Sequence, residues 1–237
     1  MMVLRDIYNA YQVDGWEFIL IWGKKSWGKT TAAITFLSLF FHALENIDGT
    51  WKWKPPEAPE WNEVFWHLIF TMEQFLERIT ATEGKKIPML VWDDAAVYMG
   101  KYEWTDPVVQ EFSEFFVAIR TYLNCLIVTA PKPGMVVKGM REDFTKKIQI
   151  LNPIWMGKAS FYYQDLAWRD NYYGPGTWER KHLREAGAIY PMPAHAYEKY
   201  NELRLRYLGE QKLTRLLLKL SQSKMKELNE RDWHCMR

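Results

Sequence analysis

Two cysteines are all the sequence holds, Cys125 inside an apolar run and Cys235 near the C-terminus. They supply neither the closely spaced pairs of a zinc site nor a disulfide framework, so a reducing, cytoplasmic compartment is expected. No uncharged apolar run reaches the roughly 18 residues of a membrane-spanning helix. The N-terminus also lacks the basic region, apolar core and cleavage signal of a secretory peptide, so no membrane partner is expected. Net charge is only +2, too small for an overall field that draws nucleic acid or anionic lipid. Internal repeats and low-complexity tracts are missing as well. The charge that is present is unevenly spread. Residues 195–237 carry ten Lys or Arg against six Asp or Glu, and residues 1–194 carry 21 against 23, so the C-terminal end is the basic one.

With 237 residues, 48% hydrophobic and 25% charged, the chain has the balance of a folded globular protein, and one α/β domain with an appendage fits its length. Aromatics make up 16%, including 13 Trp. Such a share implies either a core of large side chains or aromatic contact surfaces.

Along the chain, strand and helix patterns alternate. Trp16 to Trp22 is a mostly apolar run between Gly15 and Gly23, as in a strand buried on both faces. Thr30 to Leu44 has helix length and composition. Pro55, Pro56 and Pro59 forbid a regular helix in Gly49 to Trp61 and favour an extended surface loop. Val64 to Phe70 reads as a second strand. Thr71 to Thr80 reads as a helix with Thr71 at its N-cap. After a turn at Gly84 to Lys86, Met89 to Trp92 is a third strand that ends on Asp93 and Asp94. Val108 to Tyr122 has helical spacing, and Leu123 to Thr129 is a fourth strand. This alternation predicts a largely parallel β-sheet flanked by helices on both faces.

Beyond Pro131 the pattern loosens. Lys146 to Leu151 and Ala159 to Leu166 read as strands, and Asp170 to Thr177 as a turn. Ala194 to Leu220 reads as a long amphipathic helix, entered sharply at Pro191-Met192-Pro193. The expected division is a core over 1–151, a strand- and aromatic-rich extension of it over 152–193, and a basic C-terminal helix over 194–237.

The chemistry concentrates in the first half. Gly23, Lys24, Lys25, Ser26, Trp27, Gly28, Lys29 and Thr30 satisfy Gly-x4-Gly-Lys-Thr, with a strand before and a helix after. In such a P-loop the glycines let successive N–H groups converge on phosphate, and the helix N-terminus adds partial positive charge. These residues and Thr31 are therefore expected to hold ATP, Lys29 reaching the β and γ phosphates and Thr30 giving its hydroxyl to Mg2+. A neighbouring strand end must supply an acid, and Asp93 is expected in the magnesium shell with Asp94 orienting or deprotonating the attacking water. A bland reading exists, since Asp-Asp can also cap a helix. Thr129, at the end of the next strand, is a candidate polar sensor of the γ phosphate or the attacking water, although a strand-ending Thr is ordinary. Arg141 is a candidate arginine finger for a neighbouring subunit, with Arg120 as its competitor. Lys132 and Lys138 form a small basic loop. Trp51, Trp53 and Trp61 with Lys52 and Lys54 have the interleaving that can stack single-stranded bases, although indoles folded against the domain explain them as well.

The blocks Ile21 to Thr30, Ile87 to Trp104 and Leu126 to Pro133 resemble the DnaA-like ATPases of the AAA+ group encoded by fuselloviruses, the spindle-shaped viruses of hot-spring archaea, and by related plasmids. The Asp-Asp strand end is also similar to helicase loaders of the DnaC type and transposition ATPases of the IstB type. The resemblance implies an AAA+/RecA-like P-loop core working on DNA inside the host cell as a homo-oligomer, with replication proteins as partners. It implies replication initiation or helicase loading, or alternatively genome packaging with packaging proteins as partners. A standard helical lid is not recognisable, because residues 152–190 look strand-like and aromatic. Two other classes stand beside these: a nucleotide switch that barely turns over, and a small-molecule kinase, for which no convincing pair of lid arginines is seen.

Overall fold

The computed structural model describes residues 2–42, 44–47, 50–53, 61–82, 84–97, 110–111, 114–136, 140, 143–156, 159–169, 177–181, 187–189 and 191–209. Two compact units are present, Met1–Pro193 and Ala194–Arg237.

The first unit is an α/β structure built on one mixed sheet. Its elements run α1 (Met2–Gln12), β1 (Glu17–Trp22), α2 (Lys29–His42), β2 (Leu44–Ile47), β3 (Thr50–Trp53), α3 (Trp61–Trp66), β4 (Leu68–Ile69), α4 (Met72–Thr80), β5 (Leu90–Trp92), β6 (Cys125–Ala130), β7 (Lys146–Ile150), β8 (Ala159–Arg169), β9 (Thr177–Lys181) and β10 (Gly187–Ile189). The sheet order is β10-β8-β7-β1-β6-β5-β4, with β9 also on β8. From β7 to β4 every pairing is parallel. The strands β8, β9 and β10 extend that sheet in antiparallel fashion. This is the α/β P-loop fold, with β6 lying between the glycine-loop strand β1 and the acidic strand β5.

Burial explains why these segments are strands. Phe18, Ile19, Leu20 and Ile21 of β1 are fully buried, as are Leu90, Val91 and Trp92 of β5 and Cys125 to Ala130 of β6. Continuous apolar runs of this kind suit strands covered on both faces. Phe18 packs on Phe116 and Phe144, with ring centroids 4.8 and 4.2 Å away. Trp92 stacks on Phe75 of α4 and donates its indole N–H to the Phe70 carbonyl at 3.2 Å. α4 begins with a full capping box, Thr71 accepting from the Gln74 N–H while the Gln74 side chain accepts from the Thr71 N–H.

His67 is buried between α3 and β4. Its ring stacks on Phe41, with centroids 4.3 Å apart, and its Nδ1 lies 3.0 Å from the Met89 carbonyl. Burial pushes its pKa down to about 4.

The structure departs from the sequence expectations in four places. Val64 to Phe70 is not a strand: α3 ends at Trp66, and only Leu68 and Ile69 join the sheet. Trp61, Val64, Phe65 and Leu68 stand at i, i+3, i+4 and i+7, and that spacing favours a helix for the first half of the segment. Second, β3 occupies the start of the expected Gly49–Trp61 loop and pairs antiparallel with β2. Asp48-Gly49, the dipeptide standing between the two strands, is a hairpin signal. Third, α1 was not foreseen, although Val3, Leu4 and Ile7, all at most 1% exposed, have helical spacing. Fourth, Phe116–Thr121 is a 3-10 turn where the spacing suggested an ordinary helix.

In the second unit, α5 (Ala194–Arg204) is followed by a π-helical turn over Leu205–Gly209. The expected continuation to Leu220 lies outside the described residues, as do the 170–176 turn and the prolines at 55, 56 and 59. Among the described residues, no helix is long and apolar enough to cross a membrane.

Candidate nucleotide site

The glycine loop, Thr129, Asp93 and Asp94 converge at the C-terminal ends of three adjacent parallel strands, whereas Arg120 does not join them. β1 delivers the glycine loop, β6 delivers Thr129, and β5 delivers Asp93 and Asp94. Parallel α/β sheets bind ligands at this edge, because the strand ends leave a crevice between the following loops.

The loop from Gly23 to Gly28 needs unusual backbone. Gly28 has φ +93° and Ser26 has φ +62°, the left-handed region that side chains enter only at a cost. At Gly28 space is also limiting. A methyl built there would meet the Cβ of Ile154 at 2.9 Å, and one built on Gly23 would meet the Ile150 carbonyl oxygen at 3.1 Å. The end of β7 and the turn after it therefore press on the loop at both glycines.

α2 starts at Lys29, and its first-turn N–H groups face the loop. Lys29 is 8% exposed, and its ammonium donates to the Lys24 carbonyl across the loop at 3.0 Å. The Lys24 ammonium lies 4.9 Å from the centre of the Trp27 ring. Thr31 is buried behind Lys29 and Thr30 in the same turn.

The acidic side is tied to the loop by one hydrogen-bonded chain. Thr30 Oγ1 donates to Asp93 Oδ1 at 2.7 Å, and Thr129 Oγ1 donates to the same oxygen at 2.7 Å. The Asp94 N–H in turn donates to Thr129 Oγ1 at 2.8 Å. Asp93 and Thr129 are both fully buried. A buried carboxylate is tolerated where hydroxyls and backbone satisfy it. Asp94 itself sits at φ +51°, a conformation Asp accepts more readily than most residues and one that recurs at functional sites.

The sequence offers Thr129 as a candidate sensor of the γ phosphate or the attacking water. Its single proton goes to Asp93 and its oxygen accepts from Asp94, so in this structure it is the tether between the two acids. Sequence reasoning missed that link, which the parallel pairing of β5 with β6 brings within reach.

The Thr30 hydroxyl and the Asp93 carboxylate form a two-oxygen donor set. Among the described residues no group of three or more His, Cys, Asp or Glu could hold a metal. That set fits Mg2+, which binds through one or two protein oxygens and otherwise through water and phosphate.

Arg141 and Lys138 lie outside the described residues. Arg120 lines a groove of about 530 Å3 with Asp14, Gly15, Trp16, Lys86 and Thr121. That groove is at the opposite end of β1 from the glycine loop, six residues and so about 20 Å away at strand rise. Arg120 does not reach its own chain's loop. Lys132 is exposed just beyond β6, on the same edge as the site. Trp61 stacks on Phe65 of its own helix, with centroids 5.7 Å apart.

Fold and loop together define the chain as an α/β P-loop protein. No family model matches it. Uncharacterized protein B-251 of Sulfolobus spindle-shape virus 1 is 28% identical over 146 residues, covering 61% of this chain and 55% of that relative. The chain thus spans about half the length of the curated relative it matches. Among solved structures, the genome packaging NTPase B204 of Sulfolobus turreted icosahedral virus 2, in complex with ATP-gammaS, aligns with TM-score 0.34 at 11% identity, over 62% of this chain and 91% of that one. The N-terminal domain of zonular occludens toxin from Neisseria meningitidis aligns with TM-score 0.37 at 16% identity, over 77% and 97%. Likenesses this distant carry no functional argument.

Proposed function

We propose that the chain is a magnesium-dependent ATPase of an archaeal virus or mobile element, working on DNA as an oligomer. The observation that carries the enzymatic reading is the unbroken chain Thr30–Asp93–Thr129–Asp94, which fastens two acids to the first turn after the glycine loop. A glycine loop alone would bind phosphate; acids held against it add the means to hydrolyse.

Each residue then has a task. The backbone N–H groups from Lys24 to Thr31 bind the phosphates, and Lys29 exchanges its bond to the Lys24 carbonyl for phosphate oxygens. Thr30 and Asp93 are the residues that would hold Mg2+. When bound, the ion offsets charge that develops on the phosphates. Asp94 orients the attacking water and takes its proton, and Thr129 keeps both acids in place. Arg141 from a neighbouring copy is the proposed arginine finger.

DNA as the substrate of the work follows the sequence resemblance, and the exposed Lys132 at the site's edge is a basic residue placed to meet it. We favour replication initiation or helicase loading, as the sequence resemblance implies. The packaging motor is the second reading. ATP turnover measured with and without duplex DNA separates them: a loader hydrolyses slowly and responds to a helicase or an origin, whereas a motor is strongly stimulated by any duplex. The reading as a whole fails if Lys29→Ala leaves ATP binding intact.

A further inference from the structure

Most tryptophans whose side chains the structure describes are covered. Trp92 is fully buried, and Trp16, Trp22, Trp27, Trp61 and Trp66 are partly covered. Trp155 is 74% exposed, and the next residue, Met156, is 65% exposed. An indole left in water beside a methionine costs solvation free energy that a ligand could recover.

Their position says which ligand. Both lie in the short 3-10 turn Ile154–Met156 that follows β7. Ile154, the first residue of that turn, lies against Gly28 at the end of the glycine loop. The turn is firmly seated: Asn152 Oδ1 accepts from the Ser160 N–H at 2.6 Å, and the Met156 N–H donates to the Pro153 carbonyl at 3.2 Å. Trp155 is thus held within one residue of a fixed contact with the phosphate loop.

The acids fix the direction in which a nucleotide lies. β6 and β5 carry Thr129, Asp93 and Asp94 on one side of β1, and β7 flanks β1 on the other. A triphosphate whose terminal group faces the acids points its nucleoside toward β7 and the turn after it.

We propose that Trp155, with Met156 beside it, is the stacking platform for the nucleobase of the bound nucleoside triphosphate. This inference rests on the reading of residues 23 to 30 as the phosphate site. The platform adds affinity for nucleotide over bare triphosphate. It discriminates little among bases, because every base has a π-face.

The test compares two probes, a non-hydrolysable ATP analogue and inorganic tripolyphosphate, both with Mg2+, by titration calorimetry on the full chain. Trp155→Ala should weaken the ATP analogue by about 5- to 150-fold, the range of one base stacked on an aromatic ring. It should leave tripolyphosphate unchanged, and Trp155→Phe should keep most of the affinity. Circular dichroism should match wild type, since the side chain is mostly in water. The inference is overturned if Trp155→Ala binds the ATP analogue as wild type does, or if both probes weaken alike. It is also overturned if the variant loses only affinity for a single-stranded oligonucleotide, which would make Trp155 a strand contact. Lys29→Ala should weaken both probes together. If the wild-type chain binds neither probe, or Lys29→Ala changes neither, the phosphate-site reading itself falls, a result distinct from failure at Trp155 alone.

Discussion

Replacing Thr129 by Val removes one hydroxyl and keeps the shape of the side chain. In the structure that hydroxyl donates to Asp93 Oδ1 at 2.7 Å and accepts from the Asp94 N–H at 2.8 Å, in a position with no solvent exposure. Valine breaks both bonds and leaves the Asp94 N–H without this acceptor. An unsatisfied buried donor costs about 1–3 kcal/mol, and a hydrogen bond to a charged acceptor is worth about 1.5–3 kcal/mol. Because the two effects overlap at one atom, a total loss of about 2–4 kcal/mol of folding stability is expected. Hydrolysis should fall further than stability alone requires, because Asp94 loses the anchor that aims it. Misplacement of a catalytic group by about 1 Å costs on the order of 100-fold in rate. Urea unfolding and steady-state ATP turnover on the same preparation read both effects, and Thr129→Ser should restore most of each. Wild-type unfolding and turnover in Thr129→Val would refute the tether. So would a Thr129→Ser variant as impaired as the valine one, because the hydroxyl would then be irrelevant.

Other outcomes follow from the same geometry. Asp94→Asn should retain ATP binding while lowering kcat by at least about 100-fold, the usual scale of general-base loss; a kcat near wild type would move the base elsewhere. Gly28→Ala should destabilise by roughly 1–3 kcal/mol through its φ of +93° and its 2.9 Å approach to Ile154. Adding Ile154→Gly to that variant should relieve the clash but not the dihedral, so thermal melts should show only partial recovery. His67 gives a pH signature. Above about pH 6.5 both folded and unfolded chains hold it neutral, and between 6.5 and about 4 only the unfolded chain takes the proton. Stability should therefore fall by about 3 kcal/mol as pH drops through that window and level off below it. Urea midpoints against pH should show this fall for wild type and a flatter curve for His67→Phe.

Much of the core could be read from the sequence because its strands are buried on both faces and appear as uninterrupted apolar runs. Glu17–Trp22 and Cys125–Ala130 are of this kind, and glycine or aspartate marks the ends of several such runs. The Thr71 cap was legible for a similar reason, since capping is chemistry between residues three apart. What stayed hidden was either short or non-local. β4 is two residues long and is defined by the strand it pairs with, so an apolar run from Val64 to Phe70 does not reveal where helix gives way to strand. α1 begins without a capping signal, and its apolar residues are few. At the site, the loop and the acids were each visible as motifs. The Thr129 tether was not, because a hydrogen bond across two neighbouring strands depends on register, and periodicity does not report register. The pressure of Ile154 on Gly28 was invisible for the same reason.

The pairing pattern also dictates how the protein can be made. Glu17 pairs with Cys125 and Ile19 with Lys146, so the central strand finds both its neighbours only after more than a hundred further residues exist. At translation rates of roughly 5–20 residues per second, the second partner of β1 emerges about 6–25 s after β1 itself. Throughout that interval the Phe-Ile-Leu-Ile segment is an unpaired apolar strand on a nascent chain. The ribosome-bound protein should therefore depend on chaperones until Lys146–Ile150 has left the exit tunnel, and chains truncated before that strand should aggregate rather than fold.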